Sequence, residues 1–265
     1  MKKLLSRVPK RTPKMLEVVG SRRLTPNMIR VTFSAGWVRD LEEGIEGAHC
    51  KLFFPKPDQS PEDFVAAFEN GPRPDVRTYT LRFVRPRGGE IDIDFVDHGD
   101  AGPASAWARQ AKAGDVCGFG GPGPVKMNEF FADTYILAAD MSALPVASAA
   151  LEAMPRDAKG VAYFEITDPE DKQLIDAPKG VEVHWLIHHD VAQPHTQAVA
   201  LIEALPAFRG TVQTCIAGES AMITALRQEL IVKRGLTKRQ AYIAGYWKIG
   251  LIEDEHQKVK RADAA

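Results

Sequence analysis

The chain has 265 residues, of which 45% are hydrophobic and 26% are charged, and its formal net charge is -1. This composition is ordinary for a globular protein of one or two domains, and the charge argues against a surface that attracts nucleic acid or an anionic membrane as a whole. The three cysteines, Cys50, Cys117 and Cys215, form no C-x-x-C pair, which argues against a disulfide framework, an iron–sulfur cluster and a structural zinc site.

The N-terminus is basic, with six lysines and arginines before the first acidic residue. No apolar run of signal-peptide length follows them, so we predict a solvated arm and not a secretory leader. No segment approaches the roughly 18 apolar residues that a membrane-spanning helix needs. We therefore expect a cytoplasmic protein with no membrane partner.

The first half of the chain predicts short strands separated by turns. Apolar or β-branched runs place these strands at residues 16–19, 28–33, 49–55, 77–85 and 91–96. A proline-rich excursion at 56–76 contains one short helix at 61–68, and an alanine-rich helix at 104–112 follows Gly102-Pro103. A glycine–proline run at 118–124 ends this half. Short strands with regular turn signals indicate a small antiparallel barrel.

The second half alternates strands with helices. The predicted strands are residues 135–139, 161–166, 181–187, 212–217 and 242–246, and the predicted helices are residues 143–154, 196–204 and 222–234, the last closed by Gly235. This alternation indicates a doubly wound parallel sheet with helices on both faces. We place the boundary near residues 125–133, which divides the chain into residues 1–130 and residues 131–265.

Residues 77–82 read R-T-Y-T-L-R and form the first segment that suggests chemistry. In a strand, Arg77, Tyr79 and Leu81 face one side, whereas Thr78, Thr80 and Arg82 face the other. An arginine, an aromatic ring and a hydroxyl this close together can hold a phosphate, cover a ring and hydrogen-bond a ring nitrogen. A surface strand has the same pattern, so the segment alone does not decide.

The second segment, residues 98–108, enters a helix through Gly102 and Pro103. Free N–H groups at a helix N-terminus, together with the helix dipole, form an anion site, and the Ser105 hydroxyl adds a donor. A pyrophosphate fits such a site, although an ordinary capped helix explains the pattern equally well.

The third segment, residues 139–145, follows a strand and opens a helix, as residues 217–220 also do. Ligands of open α/β sheets bind at these carboxyl ends of strands. No G-x-G-x-x-G fingerprint opens a helix at these strand ends, and the match at 118–123 lies in the glycine–proline run, so a conventional dinucleotide-binding Rossmann domain is not supported.

A histidine-rich strand raises the question of a metal. His184 and His188 face one side of the predicted strand, and His189 follows directly. No carboxylate or cysteine completes a ligand set at close spacing, so we predict no protein metal site.

Taken together, these segments resemble the siderophore-interacting protein family, which includes ferric-siderophore reductases. The matching pieces, between about residues 14 and 250, are R-T-Y-T-L-R at 77–82, D-F-V-D-H-G-D-A-G-P-A-S-A-W-A at 94–108, A-G-D at 113–115, G-G-P-G-P at 120–124, A-D-M-S-A-L-P at 139–145, A-G-E at 217–219 and G-Y-W-K-I-G at 245–250. The resemblance implies a ferredoxin-reductase-like fold, with an N-terminal antiparallel β-barrel that binds FAD and a C-terminal doubly wound α/β domain of the NAD(P)H-binding type.

The resemblance also implies the site residues. FAD would contact Arg77, Tyr79, Thr80, Leu81, Asp94, Val96, His98, Gly102, Pro103, Ala104, Ser105, Asp140, Ala143 and Leu144. NADH or NADPH would approach Asp140, Ser142 and Glu219. The anionic ferric siderophore would be received by Lys51, Lys126 and Lys248. The implied reaction passes electrons to Fe(III) through the flavin and needs no protein acid or base, so we predict no catalytic acid–base pair.

This chain departs from the family pattern at two positions that concern the electron donor. The family usually has D-E-T-A-L-P where residues 140–145 read D-M-S-A-L-P, and an arginine is common where His188 follows the strand. A histidine holds a 2′-phosphate less firmly than an arginine, so NADH, NADPH and a ferredoxin all stand as donors. The alternatives to a siderophore reductase are a non-enzymatic siderophore carrier and a general NAD(P)H:flavin reductase. A nucleic-acid-binding barrel is disfavoured by the net charge.

Overall fold

The computed structural model describes residues 14–70, 74–99 and 102–251. The basic N-terminal residues 2–11, and Asp100 and Ala101 of the second segment, lie outside the described residues. Within the described part of the chain, no helix is both long enough and apolar enough to cross a membrane.

The first half folds into an antiparallel sheet, as its short apolar runs predict. In the described residues the strands are β1 Lys14–Thr25, β2 Met28–Ser34, β3 His49–Phe54, β4 Asp75–Thr80, β5 Phe83–Arg85, β6 Glu90–Val96 and β7 Val116–Gly120, in the order β4-β3-β7-β1-β2-β6-β5. Helix α1, Pro61–Asn70, precedes β4, and helix α2, Pro103–Gln110, precedes β7. The predicted fold class is confirmed for this half.

The sheet curls so that its two edges meet at one corner. The edge strands β4 and β5 are consecutive in the chain and are separated by Leu81 and Arg82 alone. The Leu81 N–H donates to Ala48 O, next to β3, and the Arg82 N–H donates to Asp92 O in β6. The single strand predicted at 77–85 is therefore two strands, because the chain crosses from one edge of the sheet to the other.

Alternating apolar residues fill the interior of this barrel. Cys50, Leu52 and Phe54 of β3 are at most 2% exposed, as expected when every second side chain faces a core. The ring of Trp107 in α2 lies 5.3 Å from Phe54 and 6.1 Å from Phe95, measured between ring centroids. These aromatic contacts fix α2 against the barrel, which positions the N-terminus of α2.

The second half forms a parallel sheet, again as predicted. Its strands in the described residues are β8 Thr134–Ala139, β9 Lys159–Ile166, β10 Gly180–Ile187, β11 Val212–Glu219 and β12 Ala241–Trp247, in the order β10-β9-β8-β11-β12. Its helices are α3 Leu144–Ala153, α4 Gln197–Glu203 and α5 Ser220–Arg227, which continues as a π-helical turn over Gln228–Lys233.

Helices cover both faces of the parallel sheet, so its central strands β8 and β11 are buried almost throughout. Leu144 and Leu151 of α3 pack against one face, whereas Ile202 of α4 and Leu226 of α5 pack against the other. The strand order reverses between β8 and β11. A crevice at the carboxyl ends of these two strands is the usual ligand site of such sheets.

Buried polar contacts join the two sheets. Asp171, which is 0% exposed, accepts hydrogen bonds from Thr25 Oγ1 at 2.6 Å and from the backbone and side-chain nitrogens of Asn27 at 2.9 and 2.8 Å. Arg82 donates to both carboxylate oxygens of Glu152 in α3 at 2.7 Å. These contacts hold the barrel and the parallel sheet in one arrangement.

Replacing Asp171 with alanine is expected to lower the free energy of unfolding by about 2–4 kcal/mol, because the buried Thr25 hydroxyl and two nitrogens of the half-buried Asn27 lose their shared acceptor. Urea unfolding followed by circular dichroism measures the loss. Glu170→Ala is the matched control, since Glu170 is exposed in the same turn. Similar urea midpoints for the two variants would show that the Asp171 contacts between the two sheets contribute little to stability.

Candidate functional site

Strand β4 carries the first predicted segment at the corner where the barrel edges meet. Arg77 lies opposite Leu52 of β3, and Tyr79 lies opposite Cys50. The half-buried Tyr79 ring packs on Phe95 with 4.4 Å between centroids. The barrel therefore supports one side of the Tyr79 ring, while Arg77 is half-buried two residues away on the same face.

Leu81 and Asp94 take supporting positions below this surface. Leu81 is 0% exposed, its N–H donates to Ala48 O, and its carbonyl accepts from the Gly47 N–H. The Asp94 carboxylate accepts from Arg30 Nε and Nη2 at 2.6 and 2.7 Å, and its side chain is 1% exposed. Leu81 thus belongs to the barrel core, whereas Asp94 lies on the other face of β6 from the core residues Ile93 and Phe95. Val96, at the end of β6, is half-buried.

The N-terminus of α2 presents the second segment. Gly102 is the N-cap residue, Pro103 is at the first turn, and no side chain caps the helix among the described residues. A Cβ atom on Gly102 would lie 3.2 Å from Cε1 of the exposed His98, a close contact that a small movement of this side chain relieves. The first-turn N–H groups of α2, including those of Ala104 and Ser105, have no acceptor within the helix.

Asp97 lies beside the N-terminus of α2, and two arginines compensate its negative charge. Asp97 Oδ1 accepts from Ser105 Oγ at 3.3 Å, and Asp97 Oδ2 accepts from Arg23 at 2.6 Å. Burial alone would raise the pKa of Asp97, but the hydrogen bonds from Arg23 and the Gly99 N–H outweigh it and hold the pKa below its ordinary value. Arg109 lies 3.7 Å from the same carboxylate. Asp97 is therefore ionised, and Arg23 and Arg109 compensate its negative charge. Its carboxylate holds the Ser105 hydroxyl in place.

The crevice at the strand-order reversal contains the third segment. Asp140, at the end of β8, is 4% exposed and accepts from Ser142 Oγ at 2.6 Å, from the Ser142 N–H at 2.9 Å and from Trp247 Nε1 at 2.7 Å. Burial raises the pKa of Asp140 in spite of these hydrogen bonds. The contact with Trp247 ties the end of β8 to the end of β12.

The other predicted crevice residues are also in place at the carboxyl edge of the sheet. Glu219 caps α5 by accepting from the N–H groups of Ala221 at 2.5 Å and Met222 at 3.2 Å. Ala143 and Leu144 are at most 1% exposed and pack into the core beneath the crevice. At this edge of the sheet Asp140 and Glu219 are buried and Ser142 is half-buried, and Ala143 and Leu144 pack beneath them.

The three predicted lysines lie on different parts of the fold. Lys51 is on β3 and hydrogen-bonds Thr78 of β4. Lys126 is half-buried in the segment that connects the barrel to the parallel sheet. Lys248 is exposed directly after β12, next to Trp247. Their convergence on one substrate stays a prediction.

Sequence reasoning missed two features of the crevice. Trp247, which lies in the G-Y-W-K-I-G piece of the resemblance but was given no role there, donates to Asp140. His195 lies 2.5 Å from Glu165 through Nδ1, and its ring meets Trp247 edge-on at 88°. A lone glutamate in the otherwise apolar strand β9 was the available signal for this pair.

The hydrogen bond between His195 and Glu165 shifts the pKa of both groups. Burial alone would lower the pKa of His195, but the hydrogen bond to Glu165 and the charges of Asp140 and Glu219 raise it above its ordinary value. Burial would raise the pKa of Glu165, but hydrogen bonds from His195 and the Ala198 N–H hold it below its ordinary value. The carboxyl edge of the sheet is thus negatively charged around one imidazole.

Comparison with known proteins identifies the family. Residues 17–126 match the siderophore-interacting FAD-binding domain, and residues 132–250 match the siderophore-interacting protein family. Ferric vibriobactin reductase ViuB of Vibrio cholerae is 34% identical over 255 residues, which span 93% of each chain. The chain belongs to the siderophore-interacting protein family. The predicted resemblance is confirmed, and the barrel is the FAD-binding half of this family's fold.

Solved structures agree with this assignment. The siderophore-interacting protein SipS from Aeromonas hydrophila superposes with a TM-score of 0.82 at 29% identity, covering 95% of this chain and 98% of SipS. The ferredoxin reductase in carbazole 1,9a-dioxygenase has a TM-score of 0.66 at 17% identity, covering 89% of this chain and 70% of that one, and shows the shared fold alone. The predicted ferredoxin-reductase-like architecture is confirmed.

The described residues fit FAD at one end of the barrel. The N-terminus of α2 offers backbone donors and begins at a glycine, which has no side chain to block the approach of a diphosphate. The Tyr79 ring is backed by Phe95 and remains half-buried, which suits the face of a flat ring system. The arginine on the same strand suits a phosphate charge.

Proposed function

We propose that this protein is an FAD-dependent reductase that releases iron from ferric siderophores in the cytoplasm. The observation that carries the proposal is an FAD-type barrel joined in one fixed arrangement to a parallel sheet that has a ligand crevice at its strand-order reversal. The full-length similarity to ferric vibriobactin reductase supports the same reaction.

The chain's own residues have binding and orienting roles in this proposal. Arg77, Tyr79 and Thr80 hold the flavin ring and its phosphate arm, and the segment from His98 through Gly102, Pro103 and Ala104 to Ser105 holds the diphosphate. Leu81, Asp94, Val96, Ala143 and Leu144 support these contacts. Bound FAD supplies the electron chemistry, since flavins couple two-electron donors to one-electron acceptors.

Electrons enter at the crevice between β8 and β11. Asp140, Ser142 and Glu219 shape its rim, and Trp247 closes it on the β12 side. Reduced nicotinamide, as NADH or NADPH, is the proposed donor because the crevice lies at the reversal of strand order. A reduced ferredoxin is the alternative donor.

Lysine charge selects the substrate in this proposal. Replacing Lys51, Lys126 or Lys248 with alanine is expected to raise the apparent KM for an anionic ferric siderophore by about twofold to fivefold, with little change for an uncharged ferric chelate. Steady-state kinetics on both chelates measure the difference. Lys238→Ala is the matched control, because Lys238 is exposed just before β12, at the opposite end of that strand from Lys248. Equal KM changes for both chelates would remove the charge-recognition role.

One anaerobic experiment tests the reaction itself. The purified protein is expected to show absorbance bands at roughly 380 and 450 nm, the spectrum of oxidised flavin. These bands should bleach with NADH, NADPH or reduced ferredoxin, and should recover on addition of a ferric siderophore while an Fe(II) trap develops colour.

The other outcomes identify the alternatives. A protein that takes up no flavin on reconstitution, yet binds the ferric chelate, is a siderophore carrier. A protein that reduces added free flavin faster than any ferric chelate is a general flavin reductase.

A further inference from the structure

Three metal-ligating side chains meet at the carboxyl edge of the parallel sheet, away from the barrel residues assigned to FAD. Glu165 is near the end of β9, His188 directly follows β10, and His195 precedes α4. One ligand atom from each lies within 4.8 Å of the other two. The side chains of Glu165 and His195 are 1% and 3% exposed, and His188 is half-buried on the solvent side.

Hydrogen bonds determine which imidazole nitrogen of each histidine has a free lone pair. His195 Nδ1 lies 2.5 Å from Glu165 Oε2, so Nδ1 carries the proton. His188 Nε2 lies 3.2 Å from Gln193 O, so the neutral ring of His188 carries its proton on Nε2. The nitrogens with free lone pairs are therefore Nε2 of His195 and Nδ1 of His188.

The Nε2 atom of His195 is an unsatisfied buried group. It has no hydrogen-bond partner among the described residues, whereas buried polar atoms are nearly always paired. The two imidazole rings are 4.1 Å apart between centroids. Two imidazolium charges at this separation would repel strongly, so protonation cannot satisfy both rings together.

The charges around the cluster favour a cation. Three carboxylates act on the His195 imidazole: Glu165 through a hydrogen bond, and Asp140 and Glu219 through their negative charges. Glu165 Oε1 accepts from the Ala198 N–H at 3.0 Å, which fixes the carboxylate. A carboxylate behind a histidine, holding its ring orientation, is the usual support of a metal-ligating imidazole.

We propose that His188 Nδ1 and His195 Nε2 bind a divalent first-row transition ion, with Glu165 as the carboxylate that orients the His195 ring through Nδ1. Two imidazoles suit Zn²⁺, Co²⁺ or Fe²⁺, whereas Mg²⁺ and Ca²⁺ prefer oxygen ligands alone. Two protein ligands leave the remaining coordination positions for water. This proposal departs from the expectation of no metal site, because His195 and its supporting carboxylate come from neighbouring elements and not from nearby sequence. The His195 ring contacts Trp247 at the proposed donor crevice, but neither ligand has a role in the proposed reduction.

Titration of the untagged, full-length protein with Zn²⁺ by isothermal titration calorimetry tests the site, after removal of bound metal with a chelator. We expect saturable binding of one equivalent. His188→Gln is expected to weaken this binding about tenfold or more. His184→Gln is the matched control, because His184 is exposed on β10 and outside the cluster, and it should bind as the unmodified protein does.

His195→Gln tests the buried ligand, with its circular dichroism spectrum compared to confirm folding. It should weaken Zn²⁺ binding at least as much as His188→Gln does. Absence of saturable binding by the unmodified protein would overturn the proposal, as would equal Zn²⁺ affinities for the His188 and His184 variants. The calorimetry needs no siderophore and no electron donor, so failure of the metal site and failure of the reductase are distinguishable.

Discussion

Replacement of Arg82 by alanine is expected to lower the free energy of unfolding by about 3–5 kcal/mol, the usual cost of removing one partner from a buried ion pair. The Arg82 side chain is 3% exposed and donates to both oxygens of Glu152. Its Nε lies 3.9 Å from Asp94, and its guanidinium stacks over Phe83 at 4.2 Å. The variant leaves Glu152 unpaired, reduces the positive charge around Asp94 and uncovers Phe83.

Chemical denaturation, followed by far-ultraviolet circular dichroism, measures this loss. Arg85→Ala is the matched control, since Arg85 also binds a carboxylate through two nitrogens but its side chain is 40% exposed. A solvent-exposed pair of this kind is expected to contribute about 1 kcal/mol or less. Equal losses for the two variants would mean that burial of Arg82 adds nothing to its ion pair.

Replacement of Arg77 by alanine is expected to weaken FAD binding by about tenfold to a hundredfold, the range for loss of a charge-assisted hydrogen bond to a phosphate. Arg77 is on the face of β4 that carries Tyr79, and its Nη1 donates to the carbonyl of Val76 at 2.9 Å. This contact orients the half-buried guanidinium before any ligand binds, so little entropy is lost on binding.

Fluorescence titration of the flavin-free protein with FAD measures this affinity. Arg87→Ala is the matched control for the lost charge, because the Arg87 side chain lies at the turn before β6 and is 94% exposed. Near-identical FAD affinities for the two variants would place the phosphate elsewhere on the barrel.

The sequence predicts the strands and helices in which apolar residues recur with a regular period. It does not predict a strand that depends on packing against distant residues. Residues 116–120, V-C-G-F-G, give no strand signal, yet they form β7 between β1 and β3. A Cβ atom on Gly118 would lie 2.6 Å from the ring of Phe68, so glycine is present because α1 packs its aromatic ring there. That requirement comes from residues 50 positions earlier and is invisible in a local window.

The same difference between local pattern and long-range packing applies to the residues of the candidate site. Local motifs located the turn at Gly102 and the crevice at Asp140, because both follow from what a strand or helix end offers. Motifs did not reveal that the carboxylate of Asp94 points to Arg30, or that Glu165 meets His195. Those pairs are set by strand register and by loops that fold back, which a single sequence does not encode locally.

The hydrogen bonds that connect the barrel to the parallel sheet have a consequence for synthesis on the ribosome. Thr25 and Arg82 leave the exit tunnel long before their acceptors, Asp171 and Glu152. Although domains generally fold in the order of their emergence, the Arg82 guanidinium and the Thr25 hydroxyl of a nascent barrel lack these acceptors until much of the second half has been translated. Although we propose a division near residue 130, the contacts that join the barrel to the parallel sheet therefore form late in translation.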